Sequence, residues 1–170
     1  MPSKIEFYSL FALRARRRDV LTRRELPRIP SVPMGDWILV AGSWGISDSW
    51  QERVLVAVRK RWPDCPVVYL QHPGETGNSL PNAPRGVEVV ASVGDWRELI
   101  LARGSFPLAT VSFGSTLAYL VRFASGFHTS SVLIVSSPLE QIDSADLSFI
   151  DGLVAVDGWG PRDLIIVGGE

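Results

Sequence analysis

A histidine–proline pair stands at the start of a loop in the segment 69–75, which reads Tyr-Leu-Gln-His-Pro-Gly-Glu. The imidazole of a histidine changes charge near neutral pH, so His72 could donate a hydrogen bond to a phosphate or act as a general acid. Pro73 restricts the backbone beside it. A loop histidine that only caps the end of a strand is the commoner case, and the position alone favours that structural interpretation.

Three small residues, Gly114, Ser115 and Thr116, lie between a hydrophobic segment and a predicted helix. The first turn of a helix has unpaired N–H groups and a partial positive charge, and hydroxyl groups add donors, so the arrangement suits an anion. A glycine also lets a ligand approach the backbone closely. Because serine and threonine are typical of any helix N-cap, the two interpretations are equally supported.

Two weaker candidates are the loop that contains Gly42 and Ser43, and the carboxylate of Glu98. The loop reads Gly-Ser-Trp-Gly over residues 42–45. It has neither the Gly-Lys-Ser/Thr of a P-loop nor a full GxGxxG fingerprint, so a tight turn is favoured over a phosphate loop. Glu98 stands near the start of a predicted helix. It could accept hydrogen bonds from both hydroxyls of a ribose, or be a solvated residue on the helix surface.

The sequence offers little for metal or redox chemistry. It has one cysteine, Cys65, and two histidines, His72 and His128, and no spacing typical of metal ligands. We therefore expect no metal, no intrachain disulfide and an inert Cys65.

Hydrophobic segments of strand length alternate with amphipathic segments of helix length from residue 37 onwards. The first helix is expected to begin at a capping box, Ser49-x-x-Glu52, and to stop at Pro63. The predicted strands are 37–41, 67–70, 87–90, 108–112, 132–135, 153–156 and 164–167, and the other predicted helices are 95–102, 115–123 and 139–149. This alternation predicts an α/β fold, a single Rossmann-like domain with a mostly parallel sheet. Ligands bind at the carboxyl ends of such strands, where the candidate residues lie.

Charge and proline content divide the chain. Residues 1–30 carry eight basic and three acidic residues, a net charge of +5, and the remainder carries nine basic and fifteen acidic residues, a net charge of −6. Three prolines within residues 27–33 indicate a linker. We predict a basic N-terminal extension with its linker over residues 1–34, and a Rossmann-like domain over residues 35–170.

Composition excludes several classes of protein. The chain has 170 residues, of which 46% are hydrophobic and 21% charged, so it can bury a core and is neither disordered nor fibrous. No apolar run is long enough to span a membrane, and the N-terminus lacks the pattern of a signal peptide. We expect a cytoplasmic protein. Its basic N-terminus could bind the inner face of a membrane, or could be a solvated helix surface.

The order of these motifs resembles the C-terminal, donor-binding half of bacterial sialyltransferases with the GT-B fold, and the polysialyltransferase-like group in particular. The matching elements are Tyr-x-x-His-Pro ending at Pro73, Glu98 in a Glu-x-x-Leu-like context, and the Ser-Thr pair at Ser115 and Thr116. The family's Gly-Gln-like loop corresponds imperfectly to the sequence at Gly42. The resemblance covers about residues 36–140.

This resemblance implies that residues 35–170 form a nucleotide-sugar-binding domain with a donor site for a CMP-activated sugar, normally CMP-sialic acid. It also implies metal-independent transfer to a glycan acceptor. His72 would be the catalytic residue, because it would contact the phosphate and assist departure of CMP. Gly42, Ser43, Pro73 and Gly114 would join it in binding the donor. Ser115 and Thr116 would hold the phosphate, and Glu98 would contact the ribose or cytidine.

The sequence departs from the family in one important respect. The family's base belongs to an acidic motif, Asp/Glu-Asp/Glu-Gly, in an N-terminal domain, and residues 1–35 contain no such motif. The chain would therefore need a partner domain or partner chain for transfer, and the sequence does not decide whether it is an enzyme. A non-catalytic nucleotide-binding or regulatory module is the first alternative. A protein whose basic arm binds a membrane surface or nucleic acid is the second, although residues 36–170 carry no nucleic-acid motif and we expect no nucleic-acid partner.

Overall fold

The computed structural model describes residue 29 and the residues 31–43, 47–75, 80, 83–91, 96–112, 115–126, 128–135 and 164–166. The chain divides after Pro30, and the described residues other than Ile29 belong to the unit Ser31–Glu170. The division into 1–34 and 35–170 stays a prediction. The predicted strand 153–156 and helix 139–149 lie outside the described residues.

The described strands form one parallel sheet, and each helix lies between two strands in the chain. In chain order the elements are β1 (Ile38–Ala41), α1 (Asp48–Arg61), β2 (Val67–Leu70), β3 (Val87–Val90), α2 (Trp96–Arg103), β4 (Ala109–Ser112), α3 (Thr116–Ala124), β5 (Ser130–Val135) and β6 (Leu164–Ile166). The strands lie side by side in the order β3-β2-β1-β4-β5-β6, and every neighbouring pair is parallel. The predicted α/β, Rossmann-like fold is confirmed.

The strand order reverses at β1. The chain leaves β1 for β2 on one side and later returns to β4 on the other, so β1 lies between them. In open α/β sheets a ligand crevice forms at such a reversal, beyond the carboxyl ends of the strands. This edge of the sheet carries the loops after β1, β2 and β4, and it is the edge to which the sequence assigned most of the candidate residues.

The core lies on both faces of the sheet. On one face, Val54, Leu55 and Val58 of α1 pack with Ile38 and Val40, and all of these side chains are buried. Residues alternate between the two faces of a strand, so Leu39 and its equivalents face the other way, towards the side covered by α3. There the Ser131 hydroxyl donates to the Ala118 carbonyl of α3, at 3.3 Å. Both faces are therefore covered, as the continuous apolar strands predict.

The start of α1 differs from the predicted capping box. The N-cap is Ser47, whose carbonyl accepts from the N–H groups of Trp50 and Gln51 at 3.0 and 3.1 Å. Ser49 lies inside the first turn, and its hydroxyl is 3.2 Å from the hydroxyl of Ser47. The capping-box prediction is wrong, because the helix begins one residue before Ser49, with Asp48 in its first turn.

No helix among the described residues is both long and apolar enough to cross a membrane.

Candidate functional site

The residues that follow β2 form a tight turn with His72 at its first position. The Glu75 N–H donates to the His72 carbonyl at 2.9 Å, which closes the turn around Pro73 and Gly74. Proline is favoured at the second position of such a turn because its φ angle is already fixed. The sequence His-Pro-Gly-Glu thus places an exposed histidine at the carboxyl edge of the sheet.

The His72 ring is oriented by its own turn. The Gly74 N–H donates to the Nδ1 atom of His72 at 3.0 Å. A neutral imidazole has one donor and one acceptor nitrogen, so accepting at Nδ1 places the ring proton on Nε2. Nε2 has no partner among the residues that the structure describes. The turn therefore presents a single N–H donor on an exposed side chain.

Glu75 joins this turn to the buried sheet. The Tyr69 hydroxyl donates to both carboxylate oxygens of Glu75, each at 3.0 Å, and the His72 backbone N–H donates to Oε1 at 2.9 Å. Tyr69 is only 2% exposed and belongs to the hydrophobic core. Burial, and next the negative charge of Glu75, raise the pKa of the Tyr69 phenol, so the hydroxyl stays protonated and donates. The buried Tyr69 and the half-buried Glu75 thus hold the exposed turn in place.

Gly42 lies against this arrangement at the end of β1. A Cβ atom at this position would be 2.2 Å from Oε1 of Glu75, and 2.8 Å from both the His72 nitrogen and the Tyr69 hydroxyl. The Gly42 N–H donates to the Leu70 carbonyl at 2.8 Å, which extends the pairing of β1 with β2 beyond the strands. A glycine is required here because the chain after β2 occupies the space of a side chain.

The start of α3 satisfies its own donors. Ser115 is the N-cap, and its hydroxyl accepts from the Leu117 N–H at 3.2 Å. The Ser115 N–H donates to the hydroxyl of the buried Ser112 at 3.2 Å, and the Ala118 N–H donates to the Ser115 carbonyl at 3.1 Å. This geometry is that of an ordinary helix N-cap. No residue in the described part of the chain accepts the Ser115 hydroxyl proton, so it is available to a ligand.

The structure brings some predicted site residues together and separates others. Gly42, His72 and Pro73 meet at the ends of β1 and β2, and the half-buried Ser43 continues the β1 loop. Ser115 follows β4, two strands from β2, which corresponds to about 10 Å across a sheet. Gly114 and the side chain of Thr116 lie outside the described part of the structure.

Glu98 lies apart from this group. It is exposed in the first turn of α2, the helix that follows β3. No hydrogen bond joins it to the other candidates within the described ranges. Those ranges also contain no group of three or more histidine, cysteine, aspartate and glutamate side chains that could hold a metal ion.

The sequence did not identify Tyr69 and Glu75 as part of the site, although a signal for both was present. Tyr69 is the one residue with a polar group in the strand Val-Val-Tyr-Leu, whose four residues are all buried. A buried tyrosine hydroxyl normally has a partner. Glu75 is three residues after His72, at the closing position of a proline turn, and is close enough in the chain to be that partner.

Comparisons with known proteins find weak structural similarity. A crystal structure of the bacterial iron-containing dodecameric glycosyltransferase TibC from enterotoxigenic E. coli H10407 has a TM-score of 0.37 and 21% identity, covering 70% of this chain and 31% of that chain. The dodecameric iron-containing heptosyltransferase TibC in complex with ADP-D-beta-D-heptose has a TM-score of 0.35 and 17% identity, covering 68% and 31%. The chain therefore spans about a third of the length of these neighbours. No protein-family model and no curated protein matches the sequence. Similarity at this level identifies no function.

Proposed function

We propose that the unit Ser31–Glu170 binds a nucleotide-activated sugar and serves as the donor-binding part of a glycosyltransferase. The observation that carries the proposal is the turn at His72. It holds an imidazole with its Nε2–H group available, at the carboxyl edge of a parallel sheet and beside the point where the strand order reverses. Phosphate groups bind at this edge in related architectures because converging loops supply hydrogen-bond donors there.

In this proposal the donor phosphate accepts a hydrogen bond from His72. During transfer the bond between the anomeric carbon and the phosphate oxygen breaks, and a new bond forms from the acceptor hydroxyl oxygen to the anomeric carbon. Negative charge grows on the departing nucleotide, and an imidazole donor that is already oriented stabilises it. The acceptor proton goes to a base, which the sialyltransferase resemblance assigns to a separate N-terminal domain.

The finer identity of the donor follows the same resemblance, and we propose a CMP-activated sugar of the sialic acid type. Ser115 and Thr116 would contact the phosphate from the β4 side, and Glu98 the ribose from the β3 side. An extended nucleotide sugar is long enough to contact loops on several neighbouring strands. A glycan is then the acceptor. A partner domain and contact of the basic N-terminus with a membrane surface stay predictions.

Negative charges near the turn oppose the binding of a phosphate. Glu75 is a carboxylate beside the turn, and the charge of Asp48 also acts on Tyr69. Both disfavour a bound anion. The Glu75 carboxylate accepts from the Tyr69 hydroxyl and the His72 backbone N–H, so the exposed imidazole is the group left to meet a phosphate.

Calorimetric titration of the full chain with CMP, ADP, UDP, inorganic phosphate and cytidine tests the proposal. We expect a phosphate-bearing ligand to bind and His72→Gln to weaken it by roughly 10- to 100-fold, because a hydrogen bond to a charged group contributes about 1.5–3 kcal/mol. The matched control is His128→Gln, which changes the other exposed histidine.

Three results would decide the matter. Binding of CMP above the other nucleotides supports the finer proposal. Binding without transfer or donor hydrolysis, even with an N-terminal partner domain, supports the non-catalytic module. Failure of every nucleotide to bind at millimolar concentration overturns the proposed function.

A further inference from the structure

We propose that Tyr69 and Glu75 are positioning residues that hold His72 in place for phosphate binding. Gly42 has no side chain, and its absence leaves the room that Tyr69, Glu75 and His72 need to make their contacts. We call the Tyr69 hydroxyl, the Glu75 carboxylate and the His72 backbone N–H the latch. The role in binding rests on the proposed function, whereas the latch itself can be tested without any ligand.

The hydrogen bonds within the turn do not orient it on the sheet. The Glu75 N–H to His72 carbonyl bond and the Gly74 N–H to Nδ1 bond are both local to residues 72–75. A turn held only by such bonds can pivot about the end of the strand. The contacts of the Glu75 carboxylate with Tyr69 join the turn to a core residue, so they set where the His72 ring lies.

The chemistry of the latch requires a carboxylate. All of its hydrogen bonds end on the two oxygens of Glu75, which act only as acceptors: the single Tyr69 hydroxyl proton is shared between both oxygens, and the His72 N–H is donated to Oε1. A glutamine would remove the negative charge and replace one of the two oxygens that share the Tyr69 proton by an N–H₂ group, which weakens the hydrogen bond from the hydroxyl. Glu75→Gln therefore breaks part of the latch with almost no change in shape. Tyr69→Phe removes the donor and keeps the buried ring.

Gly42 offers a way to open the latch without removing any of its groups. The Cβ of an alanine would meet the Glu75 carboxylate, the Tyr69 hydroxyl and the backbone nitrogen of His72, all closer than real Cβ atoms come. The matched control is Gly35→Ala at the opposite end of β1, where a Cβ would be 2.4 Å from the Ser105 hydroxyl. Both substitutions place a Cβ atom too close to neighbouring atoms, but only Gly42→Ala does so at the latch.

The first measurement is amide hydrogen exchange of the His72 N–H in the ligand-free full chain. We expect Tyr69→Phe, Glu75→Gln and Gly42→Ala each to speed this exchange by about tenfold or more, while Gly35→Ala leaves it unchanged. Thermal unfolding measured alongside identifies any variant that fails to fold. Tyr69→Phe is expected to fold because it keeps the buried ring, so it tests the latch even if the other variants do not fold. Exchange at the wild-type rate in the folded latch variants overturns the inference.

The second measurement is affinity for the phosphate-bearing nucleotide that the wild type binds, and for inorganic phosphate. Because the latch acts through His72, we expect Tyr69→Phe, which leaves the charge of the site unchanged, to weaken phosphate binding by about 3- to 10-fold, and the double variant Tyr69→Phe/His72→Gln to bind no more weakly than His72→Gln alone. Effects of the two substitutions that multiply would mean that Tyr69 does not act through His72, and would overturn the latch. If no nucleotide binds the wild type, the proposed function fails, while the exchange experiment still decides whether the latch exists.

Discussion

Tyr69 should make the protein sensitive to alkaline pH in a way that Tyr69→Phe removes. The pKa of the phenol is raised in the folded state, first by burial and then by the Glu75 carboxylate. In the unfolded chain a tyrosine ionises near pH 10. Above that pH the unfolded state releases a proton that the folded state keeps, so rising pH favours unfolding. The contribution of Tyr69 to stability is therefore complete below about pH 10 and is lost above it.

The size of the effect follows from linkage between proton binding and folding. Each pH unit above 10 lowers the free energy of unfolding by about 1.4 kcal/mol for one such group, so about pH 11.5 corresponds to a loss of about 2 kcal/mol. At about pH 8 the wild type should exceed Tyr69→Phe by about 1–3 kcal/mol, because the variant leaves the half-buried Glu75 carboxylate without its hydroxyl donor.

Urea unfolding of both proteins at about pH 8 and pH 11.5 measures the two differences. The other two tyrosines and the lysines are common to both chains, so their ionisation cancels in the comparison. We expect the advantage of the wild type to shrink by about 2 kcal/mol between the two pH values. An advantage that stays constant would show that the phenol is not held in its neutral form by burial beside Glu75, and would refute the reasoning.

The remaining predictions concern the core and the helix caps. Leu55→Ala should lower the free energy of unfolding by about 2–5 kcal/mol because Leu55 is fully buried. Val56→Ala should lower it by less than about 0.5 kcal/mol because the neighbouring Val56 is 57% exposed. Equal losses for the two variants in urea unfolding would contradict the core assignment. Ser115→Ala should cost about 0.5–2 kcal/mol, and Ser47→Ala less, because only the Ser115 side chain makes a cap hydrogen bond; the reverse order in thermal unfolding would contradict the two caps.

The strands were predictable from the sequence because most of them are continuous apolar runs. The predicted bounds of β2 and β3 match the structure at both ends. β1 and β4 begin one residue after the predicted start, and β6 ends one residue before the predicted end. The largest difference is at β5, which begins at Ser130, two residues before the predicted start. Ser130 and Ser131 pair with Ala109 and Thr110 of β4, and two serines carry no apolar signal. Backbone pairing with a neighbouring strand decides their conformation, and pairing cannot be seen in one segment of sequence.

The same limit explains what was and was not predictable in the candidate site. The positions of His72 and Ser115 follow from motifs that are local in the chain. The role of Gly42 depends on the register of two strands, in which Ala41 lies opposite Leu70 and so brings Gly42 against the turn after β2. Short loop sequences do not encode that register. In the sequence Gly42 looked like part of an ordinary tight turn. The structure shows that a glycine is needed there because the turn after β2 occupies the space that a side chain would fill.

The two candidate anion sites therefore differ in how their donors are used. At the start of α3 the N–H groups of Ser115, Leu117 and Ala118 all have acceptors within the protein, so a ligand there would meet the helix charge and the Ser115 hydroxyl but none of these three N–H groups. At the turn after β2 the internal hydrogen bonds end on Nδ1 and on Glu75, and they leave the Nε2–H of His72 for a ligand. In the first arrangement the polar groups stabilise the fold, and in the second they orient a group that stays free. Replacing Ser115 should thus reduce stability more than phosphate affinity, and replacing His72 should reduce phosphate affinity more than stability.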